Sequence, residues 1–375
     1  MKTVLLKALA LFFMLGSWVF SPAALGADSA ALQKAKKEAE AKGYAFLTDR
    51  DEIVAKAKKE GRLRAIGSME SATIKATIAA FTKRYPFIDF YFQESTGSDA
   101  AQRLLLEVKS GVAKEWDVVG LSTDFRTEYI PYLWKADILA MVERGILRIP
   151  PQMIDPKQRN IASFQSRFAV TAYNKNLVPA SQLPKVWEDL LKPEFKGRKL
   201  ALDIRPTEIA GLVPAWGLEK MLDFSKKIAT QNPFWVRGAT RTLTSVLAGE
   251  IPMMVGPNFH TVKGVQAKDP AGVLQYAILE PVPLTLALQM GILAASPHTH
   301  AALLFFEWMA SPEAQKIADE NEPMNSSVYV RGGAVEQELK GKKLSIPSWE
   351  DYQRIGEWQS KIFEAFGFPK AELKK

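Results

Sequence analysis

The chain has 375 residues, of which 47% are hydrophobic and 24% charged, a balance that excludes a disordered or fibrous protein. It has no cysteine, which excludes disulfides, thiol nucleophiles and thiolate metal sites. The formal net charge is +8, but acids are interleaved with the basic residues, as in KKEAEAKG. This pattern predicts a solvated surface and no nucleic-acid partner.

The first 26 residues have the pattern of a secretory signal peptide. Lys2 and Lys7 flank an apolar run at 8–20, and Ala24 and Gly26 then provide small residues at the two positions that a signal peptidase reads. The run is shorter than the roughly 18–20 residues that span a bilayer, so a membrane anchor is the weaker interpretation. We therefore predict cleavage after residue 26 and a soluble periplasmic chain, on which removal of the two lysines from +8 leaves a charge of +6.

Residues 27–61 are predicted to form a polar helical lead-in, because alanines and paired charges suit exposed helix faces. Strands and helices then alternate, first in RLRAIGS, SATIKATIAAFTKRYP, IDFYFQES, AAQRLLLEVKSG and WDVVGL, and later in KLALDI, IAGLVPAWGLEKML, IPMMVG and TVKGVQAK. This alternation predicts an α/β fold with parallel sheets covered by helices. Two sheets are expected, since single cores stop growing at about 250–300 residues.

Four strand ends carry side chains that we predict to bind a ligand, because parallel sheets collect ligands at the carboxyl ends of their strands. The candidates are Ser68, Glu70 and Ser71 after the first strand, Ser122 and Thr123 after WDVVGL, Arg205 and Thr207 after KLALDI, and Asn258, Phe259 and His260 after IPMMVG. Most of these residue types are also common helix caps, so a purely structural role is the alternative for any one of them. Arg205 is different, because a cation at a helix start needs an acidic partner or a ligand anion.

Catalytic signatures are absent from the sequence. It contains no G-x-S-x-G, H-E-x-x-H, P-loop or G-x-G-x-x-G motif. The only histidines are His260, His298 and His300, and the last two are too close in sequence to share a helix face. We predict a protein without catalytic residues, resident metal or cofactor, and keep an exported hydrolase as the alternative.

Several segments resemble the type II extracellular solute-binding proteins of ABC transporters, a family that includes ferric-ion binders. The strongest are WEDLLKPEFKG at 187–197 and SPHTHAALLFFEWMASPEAQ at 296–315. The resemblance implies a two-lobed periplasmic binding protein type II fold, with a hinge and an interlobe cleft that all four strand ends face. It also implies delivery of a small-molecule ligand to an inner-membrane ABC permease, or to a sensor as a minor variant, by a protein that we expect to be monomeric.

By the same resemblance, the first lobe comprises residues 44–164 plus 289–331, and the second comprises 165–288. A C-terminal helical segment at 332–375 follows. These boundaries are expectations drawn from the family.

The expected ligand depends on the fourth strand end. Ferric binders of this family typically hold the metal with two adjacent tyrosines, and the matching place here is Asn258-Phe259-His260. Phenylalanine has no phenolate, and the first-lobe histidine and acid that often complete the site of such binders are not evident in the segment from Gly67 to Glu70. The remaining hydroxyls and Arg205 suit an oxyanion. We therefore predict a small carboxylate or phosphorylated organic solute, with ferric iron or a ferric complex as the alternative.

Overall fold

The computed structural model describes residues 22–122 and 125–368, with side chains described from residue 30. The predicted signal peptide falls almost entirely outside these residues. Among the helices that are described, none combines the length and the apolar composition needed to cross a bilayer.

The expectation of two sheets is wrong, because β4 and β9 connect the strands. Within the described residues, ten strands join in one mixed sheet, in the order β2-β1-β3-β9-β4-β7-β5-β6, with β10 beside β9 and β8 beside β4. Their bounds are β1 Arg62–Gly67, β2 Asp89–Glu94, β3 Val118–Gly120, β4 Ile161–Asn174, β5 Leu200–Asp203, β6 Phe234–Val236, β7 Met253–Asn258, β8 Leu274–Ala277, β9 Val282–Ile292 and β10 Leu344–Ser345.

The predicted parallel pairing is confirmed within each half of the sheet. β1 is parallel to β2 and β3, and β5 is parallel to β6 and β7. The two long strands β4 and β9 differ, because they pair antiparallel with each other and with β7 and β3, respectively. Residues 161–168 of β4 pair with β9, and 169–174 pair with β7 and β8, so this strand joins the two halves.

Helices cover the sheet at the places predicted by the alternating pattern. The described α-helices are α1 Pro22–Ala41, α2 Arg50–Glu60, α3 Ser71–Arg84, α4 Ser98–Lys109, α5 Arg126–Tyr129, α6 Ile138–Glu143, α7 Val213–Trp216, α8 Leu218–Ala229, α9 Ala239–Leu247, α10 Phe259–Gln266, α11 Thr299–Met309, α12 Pro312–Asn321, α13 Ala334–Glu338 and α14 Ile355–Ala365.

One predicted helix is divided. The segment IAGLVPAWGLEKML forms a 3-10 turn at Ile209–Leu212, then α7 and then α8. The break between the two α-helices falls at Gly217, whose φ of +76° is a conformation that side-chain-bearing residues rarely adopt. The direction of the chain therefore changes where a single helix was expected.

The lead-in region is less exposed than predicted. Ile53 and Ala57 of α2 are fully buried, and this helix packs against α11. Arg50 forms an ion pair with Glu307 of α11, with Nη2 and Oε2 at 2.6 Å. Helix α2 is therefore part of the core that covers the first half of the sheet.

The C-terminal segment is held against the second half of the sheet. Trp358 and Ile362 of α14 are buried in the same apolar cluster as Met221 and Phe224 of α8. The predicted helical segment at 332–375 also contains a strand, β10, which pairs parallel with the beginning of β9.

Candidate functional site

A cavity of about 910 Å³ lies where the two halves of the sheet meet. It opens at the carboxyl ends of β1 and β5, and β4 and β9 supply its floor. The hydrogen-bonding side chains of its wall are mostly hydroxyls and guanidinium groups, from Ser68, Ser95, Ser98, Ser122, Thr127, Thr207, Thr285, Arg126, Arg167 and Arg205. The first turn of α4, at Gly97 and Ser98, also lies on the wall, and helix starts of this kind favour anions.

Two of the three cavity arginines already have acidic partners. Arg126 is buried, forms an ion pair with Asp155 and donates from Nε to Gln289 Oε1 at 2.7 Å. Arg205 donates from Nε and Nη2 to Asp203, at 3.2 and 3.1 Å. Of the two partners expected for Arg205, the structure therefore provides the acidic one.

The Asp203–Arg205 pair affects both ionisations. Burial by itself raises the pKa of Asp203, but hydrogen bonds from Arg205 and from the Gly238 N–H outweigh burial and bring that pKa below its ordinary value. The pKa of Arg205 is raised by the same hydrogen bond. The charge of Arg205 is thus largely balanced within the protein.

Arg167 is the cavity arginine with uncommitted hydrogen-bonding capacity. It projects from the middle of β4, and its buried Nε has no hydrogen-bond partner among the described residues. Its neighbour in the wall is Glu208. Burial raises the pKa of Glu208, whereas the charge of Arg167 and a hydrogen bond from Asn258 lower it by a smaller amount. A buried unpaired N–H is costly, so this group favours a ligand oxygen.

The cavity wall includes one tyrosine, Tyr352. Its hydroxyl donates to the Leu286 carbonyl oxygen at 3.1 Å and accepts from the Leu286 N–H. Burial raises the pKa of Tyr352 well above its ordinary value. The hydroxyl of Tyr352 thus uses both its donor and its acceptor function on the backbone of β9.

A second group of polar side chains, the Glu–His–Glu cluster, joins the two halves of the molecule. It consists of Glu70, His260 and Glu322, whose potential ligand atoms lie within 4.8 Å of one another. Glu70 follows β1 and His260 lies on α10 after β7, and His260 Nε2 is 3.3 Å from Glu70 Oε1. Glu322 Oε1 accepts from the Glu70 N–H at 2.8 Å, and its Oε2 accepts from Asn325 Nδ2 at 2.6 Å.

The orientation of His260 leaves two acceptors facing each other. Its Nδ1 lies 3.1 Å from the Pro323 carbonyl oxygen, which can only accept, so Nδ1 carries the proton. In the neutral ring, Nε2 then has a lone pair directed towards the Glu70 carboxylate. A proton or a metal cation between Nε2 and Glu70 Oε1 makes this contact favourable.

The predicted site residues divide between these two regions. Ser68, Ser122, Arg205 and Thr207 lie on the cavity wall, and Glu70 and His260 belong to the cluster. Ser71 donates to Glu94 at 2.6 Å, Asn258 caps α10 by accepting from the His260 N–H at 3.0 Å, and Thr123 lies outside the described residues. The expectation that all four strand ends line one cleft therefore holds for only part of the set.

Phe259 does not belong to a ligand surface. Its side chain is fully buried, with its ring 4.8 Å from that of Phe168 and 4.4 Å from that of Tyr276. A side chain without exposed area cannot stack on a ligand. Phe259 therefore fills the core and does not contact a ligand.

Comparison with known proteins identifies the family. Residues 117–354 match the model of the bacterial extracellular solute-binding proteins, which covers more than half of the chain. The chain belongs to this family of solute-binding proteins. It is therefore a periplasmic binding component of ABC import, and its relatives are binding and transport proteins.

Two curated relatives are iron proteins. Iron uptake protein A1 of Synechocystis is 26% identical over 61% of this chain and 69% of its own length. The Fe(3+)-binding periplasmic protein of Serratia marcescens is 24% identical over 64% of this chain and 72% of its own length. A solved structure from Trichodesmium, described as IdiA or FutA with iron and citrate, has a TM-score of 0.63 and 20% identity over 81% of this chain and 99% of its own. This last match confirms the predicted two-lobed fold.

Several functional candidates were missed in the sequence. Arg167 had a usable signal, because FQSRF places three consecutive polar residues between two phenylalanines within β4. Glu322 had none, since it lies 252 residues from Glu70 in the chain. Its place in the cluster depends on the packing of α12 against α3.

Proposed function

We propose that this solute-binding protein is a receptor for iron import and that Glu70, His260 and Glu322 bind ferric iron. The observation that carries the proposal is the convergence of three donor side chains, from both halves of the molecule, within 4.8 Å. A ligand set shared between two lobes lets the bound ion hold them together. The descriptions of the Synechocystis and Serratia relatives as iron-uptake and Fe(3+)-binding proteins support the same cargo.

The chemistry of the donors favours a ferric complex over the bare ion. Carboxylate oxygens are hard ligands and imidazole also binds iron, so two glutamates and one histidine suit the metal. They leave coordination positions open. Phe259 has no phenolate, and the Tyr352 hydroxyl is hydrogen-bonded to the backbone of Leu286. We infer that an organic oxyanion bound with the iron supplies the remaining oxygen donors. The Trichodesmium protein, described with iron and citrate, is a precedent in the same fold.

The cavity and the cluster are connected through short segments, which supports joint binding of the metal and the anion. Ser68 of the cavity wall and Glu70 of the cluster are two residues apart between β1 and α3. On the other side, Glu208 of the cavity wall is hydrogen-bonded to Asn258, which caps the helix that carries His260. An oxyanion in the cavity would thus lie beside the metal donors.

A second candidate function is capture of an organic carboxylate or phosphorylated solute without a metal. The observation in its favour is the unpaired Nε of Arg167 in a wall of hydroxyl groups. This is the function predicted from the sequence. It differs from the first candidate in that the Glu–His–Glu cluster would then only join the lobes.

Calorimetric titration of the ligand-free protein distinguishes the two. We expect ferric citrate to bind more tightly than citrate alone, and Glu70→Gln to weaken ferric citrate by at least about tenfold, as loss of metal-site groups typically does. Glu94→Gln is the matched control, because Glu94 is an exposed carboxylate outside the cluster. Equal affinity for citrate with and without iron, combined with unchanged binding by Glu70→Gln, would reject the iron proposal in favour of the second candidate.

A further inference from the structure

The ligand cavity has a wall near the C-terminal end of the described residues, and the family match covers only part of it. Tyr352, Gln353, Ile355, Gly356 and Gln359 line it, and we call this set the C-terminal wall. The family match ends at residue 354, so the part of this wall that lies on α14 is outside it. Like the cavity residues at 67–104, this part of the wall lies outside the residues of the family match.

The C-terminal wall is a fixed part of the fold. Ile355, Trp358 and Ile362 recur at helical spacing and are buried against the second half of the molecule. Tyr352 is anchored to the backbone of β9 by two hydrogen bonds to Leu286. Rigid positioning of this kind is what a specific binding surface requires.

The two glutamines of the wall have uncommitted side chains. Gln359 lies four residues after Ile355, at the border between the buried face of α14 and the cavity, and is itself half-buried. Within the described residues, neither the Gln359 amide nor the Gln353 amide makes a hydrogen bond. An amide can donate and accept, so it recognises hydroxyl and carbonyl groups rather than charge.

The size of the cavity indicates an organic occupant. Its volume of about 910 Å³ is near the upper end of the range of about 300–1,000 Å³ that is usual for sites of organic ligands. A water molecule, comparable in size to a metal ion, takes about 30 Å³. A bare ion or an inorganic anion would leave most of this space empty.

We propose that Gln353 and Gln359 are specificity-determining residues that hydrogen-bond the uncharged part of an organic oxyanion whose charged end is bound by Arg167. The ligand class is a carboxylate or phosphate ester that also carries hydroxyl or carbonyl groups. This inference rests on the oxyanion part of the proposed function and is independent of the iron.

The test is calorimetric titration of the ligand-free protein with citrate, malate, glycerol phosphate and inorganic phosphate. We expect at least one organic anion to bind more tightly than inorganic phosphate. Gln359→Ala should weaken that organic anion about three- to tenfold, as expected for one lost hydrogen bond, and leave inorganic phosphate unchanged. Gln359→Glu keeps the size of the side chain but adds a like charge, so it should weaken the organic anion further.

The control is Ser360→Ala, because Ser360 is exposed and bonds only the Gly356 carbonyl oxygen. Circular dichroism checks that each variant is folded. Wild-type affinity for the organic anion in Gln353→Ala, Gln359→Ala and Gln359→Glu would overturn the proposal, as would failure of the wild type to bind any organic anion in the set. Failure of the iron proposal is detected separately, by the response of ferric citrate binding to Glu70→Gln.

Discussion

The Glu–His–Glu cluster and the cavity wall use their polar groups in opposite ways. In the cluster, both carboxylates and the imidazole are already in contact with each other or with backbone groups. In the cavity, the hydroxyls of Ser68, Ser122 and Thr207 make no hydrogen bond within the described residues, and neither does the Nε of Arg167. Under the proposed function, the cluster would select its occupant by donor type and geometry, whereas the wall would gain its hydrogen bonds when a ligand replaces water.

Substitution of Arg167 is the most direct test of anion binding by the cavity wall. Arg167→Gln should lower the affinity for an organic oxyanion by about 10- to 100-fold, because a hydrogen bond to a charged group contributes about 1.5–3 kcal/mol. The matched control is the double variant Asp203→Asn with Arg205→Gln, which removes a cavity arginine together with its partner charge. We expect the control to lose less than about threefold, since that pair is already satisfied. Calorimetric titration with citrate measures both, and a larger loss in the control would assign anion binding to Arg205.

Within the cluster, the two carboxylates should differ in their effect on stability. Glu322 is buried and accepts two hydrogen bonds, so Glu322→Ala should lower the free energy of unfolding by about 1–3 kcal/mol. Glu70 is exposed, and Glu70→Ala should cost less than about 1 kcal/mol. Urea unfolding at neutral pH gives both values. Equal decreases in the free energy of unfolding would mean that Glu322 and Glu70 contribute alike to stability, and would contradict this prediction.

The smallest expected effect concerns the pH dependence of stability at Glu208. Burial raises the pKa of this carboxyl above its ordinary 4.5, so the folded state keeps a proton that the unfolded state has already lost. Protonated Glu208 therefore stabilises the folded protein relative to ionised Glu208. This stabilisation is fully present below the pKa that Glu208 has in the unfolded chain, and it is lost as the pH rises through its pKa in the folded protein. Glu208→Gln should remove this decrease in stability with rising pH, because glutamine does not ionise.

Thermal unfolding of Glu208→Gln and the wild type from pH 4 to pH 8 checks this sign. The melting temperature of the variant, relative to the wild type, should increase as the pH rises. An opposite trend would mean that the attraction of Arg167 outweighs burial in the folded protein.

Much of the fold followed from local patterns. The elements from β1 to β3 and the pair β7–α10 were recognisable because hydrophobic periodicity changes from strand to helix within a few residues. The two long strands β4 and β9 were not singled out. β4 is buried except at Arg167 and Tyr173, which are partly exposed, so it does not show the alternation of a strand that is buried on one face only.

The candidate site was predictable at the strand ends and not between them. Ser68, Ser122, Arg205 and Thr207 were identified because the ends of parallel strands are the usual place for ligands, and these four do line the cavity. Local reasoning left the role of Phe259 open, because the residue after a strand end can turn either to the cleft or to the core. In the structure, Phe259 packs against Phe168 and Tyr276, so its side chain lies in the core.

The sequence by itself determined the α/β class, because the alternation of strands and helices is a local property of the chain, and its resemblance at 187–197 and 296–315 indicated the solute-binding family. It also determined which residues stand at the strand ends. The tertiary structure decided which of them meet, and it brought in partners from distant segments: Arg167 in the middle of a crossing strand, Glu322 after α12, and Gln359 on the C-terminal helix. The physical reason is that a binding site requires groups to be close in space, and their proximity depends on sheet order and helix packing, which residue spacing does not encode.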